Sequence, residues 1–226
     1  MVKWKNQELS TKGIIVEKTP AISKGKKNIE TYSIEGRSGF LTIDKGTYEP
    51  FIVSIECHAK ESADFNQIKA FLDGYGALSF DNDKEYTAII NNAISFEKVA
   101  NFKSFIIQFL VNPIAEAKTA TTATISSSPT TINITEATYK MEPTITIAGT
   151  GDLIIEVNSK AFAITDAEAG KTYTIDCKLK EAKDNLGNNI LGQTAGDFPE
   201  LKPGANTISY TGSISSLQFS YKKAYL

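Results

Sequence analysis

The sequence predicts a mainly β chain: an N-terminal β-rich α+β domain with one principal helix, followed by a C-terminal β-sandwich. Three observations lead there. Apolar and polar residues alternate with a period of two in segment after segment, turn residues fall densely between those segments, and one stretch alone spaces its apolar residues as a helix does.

The elements follow in chain order. Phe51-Ile52-Val53-Ser54-Ile55-Glu56-Cys57 reads as a strand, as does Phe105-Ile106-Ile107-Gln108-Phe109-Leu110-Val111. Between them Asp64 is placed to cap a helix, with Gln67 three residues on to complete a capping box. Phe65, Ile68, Phe71 and Leu72 fall on one face of that helix, and Gly74 and Gly76 supply its stop. Composition then shifts between Ala115 and Thr135. Ala117 to Thr124 and Ser126-Ser127-Ser128-Pro129 are small, polar and low in complexity, as a linker or an extended edge segment is. This places a domain boundary near residue 130, giving domains 1–130, with a connecting segment at 115–130, and 131–226. Beyond it Thr144-Ile145-Thr146-Ile147, Thr172 to Leu179 and Leu217 to Tyr221 alternate as half-buried strands. Asn206 to Tyr210 and Leu217 to Tyr221 read as the last hairpin, closed through Gly212, with Phe198 to Leu201 and the Pro203-Gly204 turn as its lead-in.

Composition narrows the function. The 226 residues can bury a substantial core without a disulfide or metal staple, and 41% hydrophobic with 22% charged residues is globular usage. A net charge of −2 gives no strong pull on nucleic acid or anionic membrane. Lys24, Lys26 and Lys27 form a short basic run of the kind usual in a solvated loop. Met1-Val2-Lys3-Trp4-Lys5 has no apolar h-region, and the longest apolar run, Phe105 to Val111, falls far short of the roughly 20 residues a membrane helix needs. Assembly in the cytoplasm is the expectation. Cys57 and Cys177 are expected as two free, partly buried thiols.

A search for chemistry returns structural readings. His58, the one histidine, follows Cys57 in a strand, so the two side chains should point to opposite faces rather than form a nucleophile pair. Ala169-Gly170-Lys171-Thr172 resembles the end of a phosphate-binding loop, but the earlier glycine position holds Thr165 and Thr172 opens a strand, not a helix. Asp81-Asn82-Asp83-Lys84-Glu85 begins like a calcium loop, yet Tyr86 stands at the glycine position and Asn92 at the final glutamate. Asp184, Asn185, Asn188 and Asn189 around Gly187 read as a polar turn. No catalytic, cofactor-binding or metal-ligating residue is assigned, and no cofactor is expected.

Taken together, several motifs carry a family resemblance. Ile14 to Pro20 is followed by Lys26-Lys27-Asn28-Ile29-Glu30 and by Tyr32-Ser33-Ile34-Glu35-Gly36-Arg37-Ser38-Gly39, a strand, a basic turn and an IxGRxG loop. Then come the strand Phe51 to Cys57, the helix Asp64 to Leu72, and Gly76-Ala77-Leu78-Ser79-Phe80-Asp81-Asn82. In the second half stand Pro143 to Asp152, Tyr173 to Cys177, and Phe198 to Tyr210. The set resembles, in order and over nearly the whole chain, the distal tail proteins (Dit) of siphophages and related prophages. The segment Lys118 to Pro129 matches nothing characteristic, and no large insertion is present that could grip receptor-binding proteins.

That resemblance implies a virion structural protein of the tail tip and not an enzyme. Family members form a hexameric ring that joins the tail tube protein to the tail-associated protein and the receptor-binding baseplate proteins. It also implies that the second domain is a galectin-like sandwich. The alternative is a carbohydrate-binding module for host cell-wall glycan, with Tyr173 or Tyr210 as the stacking surface.

Overall fold

The computed structural model describes every residue except Asn82. Packing divides the chain into two compact units, Met1–Glu116 together with Leu226, and Ala117–Tyr225.

The first unit contains β1 (Lys3–Trp4), β2 (Gln7–Glu8), β3 (Ile14–Val16), β4 (Lys27–Ser33), β5 (Phe40–Tyr48), β6 (Phe51–Lys60), α1 (Phe65–Phe71), β7 (Tyr75–Ser79), β8 (Lys84–Ile90), β9 (Glu97–Val99) and β10 (Phe102–Ala117). Most join one sheet in the order β2-β1-β7-β8-β10-β6-β3, with β9 beside β10, whereas β4 and β5 form a separate two-stranded sheet. Strands β6 and β10 pair antiparallel with Val53 opposite Phe109, Ile55 opposite Ile107 and Cys57 opposite Phe105. All six are buried, so the alternation seen in sequence is one face of a core. The core closes over α1, where Asp64 Oδ1 accepts from the Asn66 and Gln67 amides at 3.0 and 3.2 Å and Ile68 is buried. Trp4 Nε1–H donates to the Phe71 carbonyl at 3.1 Å, tying β1 to the end of the helix. Gly74 takes the left-handed turn after α1 with φ of 78°. Gly76, expected to share in that stop, instead lies inside β7. A Cβ there would come within 3.0 Å of the Trp4 ring, so the buried indole requires glycine.

The second unit contains β11 (Thr121–Thr124), β12 (Thr130–Ile134), β13 (Thr144–Val157), β14 (Lys160–Ala167), β15 (Thr172–Asp176), β16 (Glu181–Asp184), β17 (Thr194–Gly196) and β18 (Gly204–Tyr221). They form one sheet, β11-β18-β13-β14-β17, with β12 also on β18, β15 on β13 and β16 on β15. The division before Ala117 lies earlier than residue 130, because Thr121–Thr124 pairs along Gln218–Tyr221. The small-residue run is therefore an edge strand that packs with the second unit.

The expected last hairpin is one long strand instead. Asn206 to Tyr210 and Leu217 to Tyr221 both belong to β18, which stays paired to β13 past Gly212. Gly212 has φ of 102°, and a Cβ on it would lie 2.2 Å from the Asp152 carbonyl oxygen. Gly149 on the facing strand is equally constrained, its Cβ position 2.5 Å from the Ser213 carbonyl oxygen. Register shifts in the same region move the pairing by a residue, so the buried side chains of β18 change parity from Asn206 and Ile208 to Leu217 and Phe219. The first half of β13 pairs with β15 and the second with β14, so two bent strands serve both halves of a curled, continuous sheet. The strand expected from Thr172 to Leu179 stops at Asp176, whose carboxylate accepts from the Lys178 and Leu179 amides at 3.0 and 2.9 Å and turns the chain.

Candidate assembly interface

The separate hairpin β4–β5 is where the structure departs most from what a self-contained domain requires. Every residue from Thr31 through Thr47 is exposed. Register settles which side chains share a face: Tyr32 lies opposite Leu41 and Glu30 opposite Ile43, while Ser33 lies opposite Phe40 and Ile29 opposite Asp44. One face thus presents Tyr32, Leu41 and Ile43, at 48%, 51% and 47% exposure, and the other presents Ile29 and Phe40, the latter at 71%. Large side chains left in water on both sides of a two-stranded ribbon mark an interaction surface rather than a core.

Local chemistry holds the ribbon in shape. Lys27 pairs with Asp44 and Lys45 with Glu30. The Tyr32 hydroxyl donates to Glu30 at 2.8 Å, and Asn28 Nδ2 donates to Thr47 Oγ1 at 3.0 Å. Lys27 holds the Asp44 carboxyl below its ordinary range, helped by the Gly46 amide, and Lys45 does the same for Glu30. At the root, Gly25 is buried with its Cβ position 2.5 Å from Pro113 Cβ, so the arm leaves the sheet through a gap that admits only glycine. At the tip, Gly36 and Gly39 adopt φ of 77° and 96° in open space, and the Arg37 amide donates to the Ile34 carbonyl at 3.1 Å. The IxGRxG segment is therefore the tip of this arm.

A second feature lies at the β3 end of the main sheet. Strand β3 pairs with β6 alone among the described strands. Beside it an open groove of about 350 Å³ is lined mainly by apolar residues, including Val2, Leu9, Ile14, Ile15 and Phe80, with Glu17 among its lining. Glu17 Oε1 lies 3.3 Å from His58 Nδ1.

Most of the residues weighed in the sequence for chemistry have structural partners. His58 and Cys57 point to opposite faces, as alternation requires: His58 meets Glu17 and the Phe102 ring, whereas Cys57 is buried. Both cysteines are free and buried, and desolvation pushes each thiol up to about 12. Lys171 pairs with Glu168 at 2.7 Å and approaches Asp184 at 3.8 Å, and β15 follows it directly. Asp81 Oδ1 accepts from the Asp83 and Lys84 amides, and Asn82 of the same motif lies outside the described residues. The Asp184 carboxylate accepts from the Leu186 and Asn188 amides and from Asn188 Nδ2, and is held below its ordinary range chiefly by Asn188. Among the described residues no cluster of three metal-ligating side chains occurs, and no helix is long and apolar enough to cross a membrane. Tyr173 is buried, its hydroxyl accepting from the Glu168 amide at 2.8 Å, so it offers no face to a sugar.

The two units together have a fold known from a solved phage tail protein. The chain superposes on the crystal structure of SPP1 Dit (gp 19.1), described as a paradigm of the hub adsorption apparatus in phages that infect Gram-positive bacteria. The TM-score is 0.78 over all of this chain and 98% of that one, at 11% sequence identity. At that identity the likeness is one of fold, and the fold is the one the sequence motifs point to. No family model and no curated protein sequence matches the chain.

Proposed function

We propose that this chain is a distal tail hub protein of a bacteriophage or prophage tail tip. Its copies close into a ring, six by resemblance to the family, that joins the tail tube protein to the tail-associated and receptor-binding baseplate proteins. The reading is non-enzymatic, with the first unit supplying the ring. Assembly takes place in the bacterial cytoplasm.

The observation that carries it is the β4–β5 arm. A ring requires a heterologous contact, in which one patch of each copy meets a different patch of the next and the rotation closes. An arm that buries neither face in its own chain provides one half of such a contact. Fold likeness along the full chain to a hub protein supports the same reading.

Light scattering coupled to size exclusion, native mass spectrometry and negative-stain imaging test it together. The wild-type chain is expected as a closed oligomer near six copies. The double variant Leu41→Ser/Ile43→Ser should shift toward monomer while, compared at a concentration where both chains are monomeric, its melting temperature stays within about 2 °C of wild type, since exposed substitutions change stability little. A wild-type chain that remains monomeric across a wide concentration range, with no rings in images, sinks the proposal.

A further inference from the structure

The ring reading leaves open what the arm grips. We propose that the arm tip of one copy seats in the groove beside β3 of a second copy, with Phe40 filling the groove and Arg37 pairing with Glu17. This rests on the ring reading and names its contact.

Three complementarities point there. First, the tip carries one large exposed aromatic, Phe40, and the groove is an apolar recess of about 350 Å³, roomy enough for a phenyl ring. Second, Arg37 is the single arginine of the chain. Its guanidinium makes no ion pair or hydrogen bond among the described residues, while Lys26, Lys27 and Lys45 of the same arm are all paired within it. Arginine is the side chain suited to grip a carboxylate through two parallel hydrogen bonds, and Glu17 is the carboxylate in the groove lining. Third, among the described residues β3 is paired on one edge only and the two strands of the arm pair only with each other. Docking along β3 would extend the sheet by backbone pairing, as strand addition does elsewhere. Tip and groove lie on different parts of one unit, so the contact is heterologous and can propagate around a ring.

Cysteine pairing tests this directly, because the two native thiols, Cys57 and Cys177, are buried. The Arg37→Cys/Glu17→Cys variant, mildly oxidised, should give a ladder of covalent oligomers on a non-reducing gel, whereas either single variant should not. Arg37→Glu should raise the concentration for half-assembly at least about tenfold, equivalent to about 1.4 kcal/mol. Adding Glu17→Arg to it should restore assembly, and Phe40→Ala should weaken assembly without changing the melting temperature of the dilute, monomeric chain. A wild-type chain that forms rings, with Arg37→Glu and Phe40→Ala assembling as well as wild type and no covalent ladder, overturns this contact while the ring stands. A wild-type chain that never assembles removes both.

Discussion

Asn206 should be among the residues most costly to remove from the second unit, although it touches no functional surface. It is fully buried, at 0% exposure. Its Oδ1 accepts from the Lys202 amide at 2.8 Å and from Asn158 Nδ2 at 2.9 Å. Its Nδ2 donates to the Lys202 carbonyl at 2.8 Å and to the Gly204 carbonyl at 3.1 Å. One amide thereby clasps the Pro203-Gly204 turn to the turn between β13 and β14, where Asn158 and Ser159 sit at φ of 51° and 68°. Asn206→Ala removes all four bonds. A neutral hydrogen bond nets about 0.5–1.5 kcal/mol, and an orphaned buried polar group costs about 1–3 kcal/mol. Water can re-enter near Asn158, which lies at the rim, so the expected loss is about 3–4 kcal/mol rather than the full sum. Asn158→Ala loses the shared bond and the Thr207 amide's bond to Asn158 Oδ1, and should cost about 1–2 kcal/mol. The two should couple by about 1 kcal/mol in a double-mutant cycle. Urea unfolding with a two-unit fit measures this. A loss below about 1 kcal/mol for Asn206→Ala at unchanged m refutes the clasp.

Other outcomes follow from the same structure. Gly212→Ala meets both a left-handed φ and a backbone carbonyl 2.2 Å away, so it should destabilise the second unit by about 2–4 kcal/mol, or distort β18. Gly36→Ala, with φ of 77° in open space, should cost about 1–2 kcal/mol at most; equal effects at the two sites would contradict the close-approach account. Cys57 and Cys177 should react with a thiol reagent at pH 8 only as fast as the chain unfolds, and rapid labelling of native protein would refute their burial. Both folded thiols are raised from the ordinary 9.0 to about 12. The unfolded chain therefore holds fewer protons above pH 9, and stability should fall as pH rises from about 9 toward 12.

Legibility in the sequence followed burial. Alternation worked wherever one face packs on a core, as in Phe51 to Cys57 and Phe105 to Val111, and the Asp64 cap was readable because its partners lie within three residues. It failed at β18. There a glycine and a parity change look like a turn between two strands, and continuity depends on β13, which lies far away in sequence. Thr121–Thr124 was ambiguous for a related reason. Short polar residues carry no core face, so its strand state comes from the long-range partner Gln218–Tyr221. The Gly76 role depended on where Trp4 lands, which no local pattern records. The resemblance placed the IxGRxG motif in a loop, but that the loop tips an arm with both faces in water required the register of β4 against β5.

That arm also explains why its sequence misleads. Leu41 and Ile43 alternate with Thr42 and Asp44 as a core-facing strand would, so the pattern asks for a buried partner. Among the described residues there is none, and two-stranded ribbons are marginal in water by themselves. The exposed ion pairs Lys27–Asp44 and Lys45–Glu30 are weakened by solvent and salt, and they bias the ribbon's shape but do not replace a core. Selection for Leu41, Ile43 and Phe40 at these positions makes physical sense if the missing partner is another copy. The binary pattern is then correct for the assembly and wrong for the monomer. On the proposed ring, burial would be deferred until the neighbour arrives, and with it the stability that would otherwise have to be built into each chain.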